Sequence, residues 1–174
     1  ASIHFLSNDP AEPDYEVGVM LMVQGAPDLA TEWGEEFGMP DVIDWNQGFE
    51  DVFAGGPYRV PVTLSNVGTE VLLIDEIIAD NDYFSADPAE EIEIPVDESV
   101  VVDFILNADE AGDFEAMMTI FSDDPDMPEY EIALHAETFD PPIMVVDPNA
   151  IEDQLNTGET VDHVVEVFND GDAL

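Results

Sequence analysis

Residues 122–134 read SDDPDMPEYEIAL, and residues 7–19 read SNDPAEPDYEVGV. Both pass from an acid-rich turn into an alternating apolar row. In each copy Asp-Pro sets the turn, with a side chain that can bond its own backbone and a ring that fixes φ. Tyr130 or Tyr15 then starts a row of apolar residues at every second position. Period two over so short a run is the pattern of a strand with one buried face.

The likeness extends outward in two registers. Pairing each residue with the one 115 further on places Ala1 on Ala116, Ser7 on Ser122, Asp9 on Asp124, Pro10 on Pro125, Pro13 on Pro128, Tyr15 on Tyr130 and Glu16 on Glu131. A spacing of 103 pairs Asp44 with Asp147, Gly55 with Gly158, Val62 with Val165, Asn66 with Asn169 and Gly68 with Gly171. Two registers near one hundred residues indicate tandem units. The difference of 12 is extra length, which the segment DLATEWGEEFG (residues 28–38) can hold. Its Leu29, Trp33 and Phe37 have helical spacing, so a short helix is expected there.

The organisation expected is therefore the last strands of one repeat at 1–27, a linker at 28–39, a complete repeat at 40–139, and the first strands of a third at 140–174. Leu174 aligns with Val71 and Ala1 with Ala116, so the two partial repeats do not sum to a whole one. The start at Ala1 suggests a mature or excised segment of something longer.

Further rows carry the same period: Tyr58, Val60, Val62, Leu64; Val100, Val102, Phe104, Leu106; Tyr130, Ile132, Leu134, Ala136; and Tyr15, Val17, Val19, Leu21, Val23. Turn residues fall between them at Asn66-Val67-Gly68, Ala111-Gly112-Asp113 and Asp123-Asp124-Pro125. About seven strands per hundred residues is the arithmetic of an all-β, antiparallel sandwich.

Three stretches carry a resemblance: PDVIDWNQGFEDVFAGG (40–56), VTLSNVGTEVLLI (62–74) and FSDDPDMPEYEIALHAET (121–138). Together they resemble the Hydin-type (ASH) immunoglobulin-like domain found in tandem in bacterial choice-of-anchor D surface proteins. The resemblance implies tandem immunoglobulin-like β-sandwiches, one complete and two partial, without enzymatic activity, used as spacers or adhesive modules. The sequence departs from the family at Asn107-Ala108-Asp109, where a proline turn is usual, and in its acidity.

That acidity is the chief compositional fact. The 174 residues hold 43 Asp and Glu against one Lys or Arg (Arg59), a net charge of −42, while 45% are hydrophobic and 25% charged. The chain can bury a core, but it cannot neutralise itself, so dissolved cations must support it. The lack of basic patches argues against nucleic acid and anionic membranes as partners. No cysteine is present, and no apolar run is long enough for a transmembrane helix, so direct membrane insertion is not expected.

Candidate ligand residues lie in the opening stretch: Asp123, Asp124, Asp126 and Glu129 for Ca²⁺, with Asn8, Asp9, Glu12 and Asp14 in the other copy. Calcium takes six to eight oxygens, but no EF-hand spacing is present, and Asp126 becomes Ala11. The turn reading accounts for what the copies share. Asp80-Asn81-Asp82 with Asp87, and Asn169-Asp170-Asp172, read as solvated acidic turns. His163 aligns with Val60 and is expected as a partly buried imidazole; His4 and His135 complete a set without metal spacing. Trp45 and Phe49 read as core. Neither a nucleophile elbow nor a phosphate loop occurs, so no catalytic residue is assigned.

The expected role is a non-catalytic structural module of an extracellular or cell-surface fibre, stalk or adhesin, whose partners are adjacent repeats or copies joined head to tail by strand addition. The alternative is an adhesive module that recognises carbohydrate or protein through end loops. A salt-adapted cytoplasmic protein would explain the charge but not the repeats.

Overall fold

A computed structural model describes residues 1–38 and 40–171. In chain order the strands are β1 (Ser2–Leu6), β2 (Asp14–Gly18), β3 (Leu29–Glu32), β4 (Val42–Asp44), β5 (Tyr58–Asn66), β6 (Leu72–Ala79), β7 (Phe84–Asp87), β8 (Glu90–Ile94), β9 (Ser99–Leu106), β10 (Gly112–Ser122), β11 (Glu129–Thr138), β12 (Met144–Asp147) and β13 (Glu166–Asn169). A 3-10 turn at Glu35–Phe37 and one turn of helix, α1 (Trp45–Gly48), interrupt them.

Nine of these strands, β3 to β11, make a sandwich of two sheets, ordered β4-β11-β10-β6-β8 and β3-β5-β9-β7. All pairings are antiparallel except β4 with β11. The alternating rows supply the core. Val60, Val62 and Leu64 of β5 and Val102, Phe104 and Leu106 of β9 join one buried cluster with Met118 and Ile120 of β10 and Ile132, Leu134 and Ala136 of β11. Trp45 plugs one end, fully buried, its ring 5.2 Å from Phe84 and its indole N–H donating to the Tyr58 carbonyl. Asp44 starts α1 by accepting the Asn46 N–H, as an N-cap should.

Two expectations are corrected here. Residues 28–39 are not a free linker with a helix: Leu29–Glu32 form β3, which pairs with β5 from Leu29↔Asn66 to Glu32↔Thr63. The helical spacing of Leu29, Trp33 and Phe37 misleads because Leu29 lies in a strand and Phe37 in a 3-10 turn, yet both join one buried cluster, against which Trp33 packs. Leu29 is buried in the core, while Phe37 stacks on Phe49 across the 3-10 turn, 5.4 Å between centroids. Likewise, His163 is exposed and pairs with Asp153, outside any strand. Its counterpart Val60 is held in β5 by β9, and no described strand takes that place beside His163.

The flanking segments form two separate hairpin-like pairs, β1-β2 and β12-β13, whose apolar side chains lie exposed apart from the half-buried Val145 and Val146. The first repeats β10-β11 residue for residue. Ser2↔Gly18, Ile3↔Val17 and Phe5↔Tyr15 correspond, at a spacing of 115, to Met117↔Ala133, Met118↔Ile132 and Ile120↔Tyr130. The second repeats β3-β5: Met144↔Asn169 through Asp147↔Glu166 match Leu29↔Asn66 through Glu32↔Thr63. The first strand keeps the 115 spacing and the second has 103, so the extra 12 residues lie between β3 and β5. Asp147 therefore corresponds to Glu32, not to Asp44 as the sequence register had it. Leu174 and Asp172, used in the alignment and the third acidic turn, lie outside the described residues.

Candidate functional site

The turn between β10 and β11 holds the calcium candidates, and its carboxylates serve the backbone. Asp124 is 2% exposed. Its Oδ1 accepts the N–H groups of Asp126 (2.8 Å) and Met127 (3.2 Å), and its Oδ2 accepts the N–H of Leu29 at 2.9 Å. Burial pushes its pKa up, but these three backbone donors outweigh it and hold the carboxyl below its usual range. Ser122 completes the turn: its hydroxyl accepts the Asp124 N–H and donates to the Met127 carbonyl. Asp123 works on the other side. Its Oδ1 accepts the Leu73 N–H at 2.8 Å, next to the bulge where the β10-β6 register shifts.

Asp126 and Glu129 are exposed and do not converge with Asp123 and Asp124. Among the described residues no group of three or more His, Asp or Glu side chains is placed to hold a metal ion. The first copy of the turn reproduces three of these bonds and not the burial. Ala11 N–H donates to Asp9 Oδ1 (2.8 Å), Asp9 N–H to Ser7 Oγ (3.1 Å) and the Ser7 hydroxyl to the Glu12 carbonyl (2.9 Å).

The other acidic stretches are engaged in part. Asp80 accepts the Met117 N–H, and Asn81 links the Tyr83 N–H to the Glu115 carbonyl. Asp80 to Tyr83 together with Asn107 and Asp109 border a cleft of about 550 Å³. Asn169 accepts the Ile143 and Gly171 N–H groups, as Asn66 accepts those of Asp28 and Gly68. The sequence did not show which acids would be consumed in this way. The signal was there only for Asp124, whose Ser-x-Asp-Pro context recurs.

His135 bridges two elements, with Nδ1 3.3 Å from Asp44 and Nε2 3.0 Å from Asp113. Burial lowers its pKa, but the hydrogen bond and charge of Asp44, then those of Asp113, outweigh that and raise it above the ordinary value. His4 lies 3.0 Å from Asp14, and Arg59 lies 3.0 Å from Asp103. These basic side chains thus sit on carboxylates, and His4 Nε2 also lies 3.3 Å from the Ser2 hydroxyl, on the exposed face of β1.

The extra length between β3 and β5 builds one more feature. Thr31, Glu32, Trp33, Glu35, Gly38, Pro40 and Tyr130 line an open groove of about 640 Å³. Tyr130 donates to Asp41 at 2.5 Å, and Asp41 holds a left-handed backbone, φ 69°. Its carbonyl accepts the Ala133 N–H, which ties the loop to β11.

No protein-family profile matches the sequence, and no curated protein matches it. Solved structures do resemble the fold. An ASH/PapD-like domain of human CEP192 (PapD-like domain 7) superposes with a TM-score of 0.52 at 11% identity, over 72% of this chain and 95% of that one. A Porphyromonas gingivalis W83 protein of unknown function has a TM-score of 0.48 and 19% identity, over 76% of this chain and 52% of that one. The Vibrio cholerae VesB protease has 0.44 and 11%, over 63% of this chain and 32% of that one. The first likeness supports an immunoglobulin-like sandwich of the ASH/PapD type; the other two are too distant to carry argument.

Proposed function

We propose that the chain is a section of a tandem immunoglobulin-like array with a structural, non-catalytic role at the cell surface, of the choice-of-anchor D kind. One observation carries this reading. The register and turn bonds of β10-β11 recur in β1-β2, and those of β3-β5 recur in β12-β13, so three successive units share one design. Asp123 and Asp124 are engaged in backbone bonds, and His135 and Arg59 in surface pairs. A near absence of Lys and Arg also removes the cleavage points of trypsin-like proteases, which suits an exposed protein.

Surface labelling and protease shaving of intact cells, read with an antibody to this segment, test the reading. Labelling on the outside is expected; a purely cytoplasmic signal would overturn it. A second reading, ligand recognition by the sandwich, draws on the groove that Trp33 and Tyr130 line. Glycan and peptide screens separate the two, since reproducible binding lost in Trp33→Ala would favour recognition.

A further inference from the structure

Asn66 ends β5 as a buried polar side chain, 1% exposed, and its amide serves the backbone around it. Nδ2 donates to the carbonyls of Glu70 (2.7 Å) and Ile94 (2.9 Å). Oδ1 accepts the N–H groups of Gly68 (3.0 Å) and Asp28 (3.4 Å). Asp28 stands just before β3, so this one side chain ties the segment entering the repeat to β8 and to the turn after β5. The entering segment is held further upstream as well. The Ala26 carbonyl accepts the N–H groups of Thr69 (2.8 Å) and Glu70 (3.3 Å), and the Thr69 hydroxyl accepts the Ala26 N–H at 3.2 Å.

The same grip recurs at the next junction. Ile143 N–H donates to Asn169 Oδ1 at 2.8 Å, and Gly171 N–H donates to the same oxygen at 2.9 Å. Asp170 N–H donates to the Ile143 carbonyl as Val67 N–H does to that of Asp28. Pro141 stands where Ala26 stands at a spacing of 115, and its carbonyl lies close against Gly171. The central sandwich holds this segment from the other side. Phe139 forms a parallel bridge with Phe53, its N–H donating to the Val52 carbonyl and its own carbonyl accepting the Ala54 N–H, both at 2.9 Å. Only Asp140 lies between Phe139 and Pro141. Pro141 and Pro142 then have φ fixed by their rings, and such linkers are stiff.

Building on the tandem-repeat reading, we infer that Asn66 and Asn169 are junction clamps, which hold each entering segment against its own repeat and join successive repeats without slack. A loose linker needs several unpaired residues with soft dihedrals, and a single residue is left here. The array is therefore a stiff rod rather than beads on a flexible string. A pull on one repeat passes from the end of β11 through Asp140, Pro141 and Pro142 to the first strand of the next. Asn66 also serves its own sandwich, through Glu70 and Ile94, whereas Asn169 can be changed without touching the central repeat.

Amide ¹⁵N relaxation of the 174-residue chain tests the clamp. Order parameters at Asp140, Ile143 and Met144 should be about 0.85, level with β11, and the amides of β11 and β12 should fit one common tumbling time. Asn169→Ala removes the acceptor, so values at Ile143 and Met144 should fall below about 0.6 and β12 should tumble on its own. Asn169→Asp keeps the acceptor and should hold the wild-type values, which separates the bond from mere tolerance of the site. The melting transition of the central sandwich should be the same in all three proteins. Order parameters below about 0.6 at Asp140 and Ile143 in the unchanged chain, or values indifferent to Asn169→Ala, would overturn the clamp. Repeats can also be strung on loose linkers, so that result would leave the tandem-array reading to its own surface-labelling test.

Discussion

Asp124 shows how one side chain joins the two ends of a domain. Its carboxylate is buried and satisfies three N–H groups, one from β3 and two from its own turn. Asp124→Ala strands those donors and should cost about 3 kcal/mol, read by denaturant melts, while Asp9→Ala leaves the central sandwich unchanged. Because its folded pKa is depressed, this stabilisation is present above the unfolded value near 3.8 and is lost as pH falls through the lower folded value. His135 has the opposite sign. Its pKa is raised above 6.5, so its contribution is full below that pH and lost as pH rises through the folded value. The melting temperature should therefore be higher at pH 6 than at pH 9, with His135→Gln flattening the difference. Much at this scale was legible in advance. The turn role of Asp-Pro followed from residue chemistry, but the fate of each carboxylate depended on Leu29 and Leu73, distant donors that no local pattern marks.

The elements were legible where period two was strong, and less so elsewhere. β5, β9 and β11 each present a long alternating row, and the structure buries those rows. β3 was hidden because its four residues owe their conformation to β5 and Asp124 rather than to their own pattern. The stretch 161–165 shows the converse: a good row beside His163 forms no strand where no neighbour pairs with it. Gly68 marks another element-scale constraint. A Cβ there would lie 2.4 Å from the Ala26 carbonyl oxygen, and one at Gly171 would lie 2.4 Å from that of Pro141. Gly68→Ala should destabilise the sandwich by about 2 kcal/mol, because backbone must move on both sides. The same substitution at Gly171 should not change the main melting transition.

At the scale of the whole molecule, charge opposes compactness. With a formal charge of −42 the surface repels itself, and at low ionic strength the screening length spans much of the chain. Monovalent salt should raise the melting temperature steadily. Calcium at matched ionic strength should add nothing further, since Asp123 and Asp124 already hold backbone donors; an extra shift abolished in Asp126→Asn with Glu129→Gln would show that the candidate ligands do bind it. The central claim is one self-sufficient sandwich flanked by two partial repeats. Hydrogen exchange of the 174-residue chain in high salt tests it most directly. Amides of β5, β9, β10 and β11 should exchange only through global unfolding, while those at 2–18 and 144–169 exchange orders of magnitude faster. Equal protection across all three segments in a monomeric chain would contradict the account.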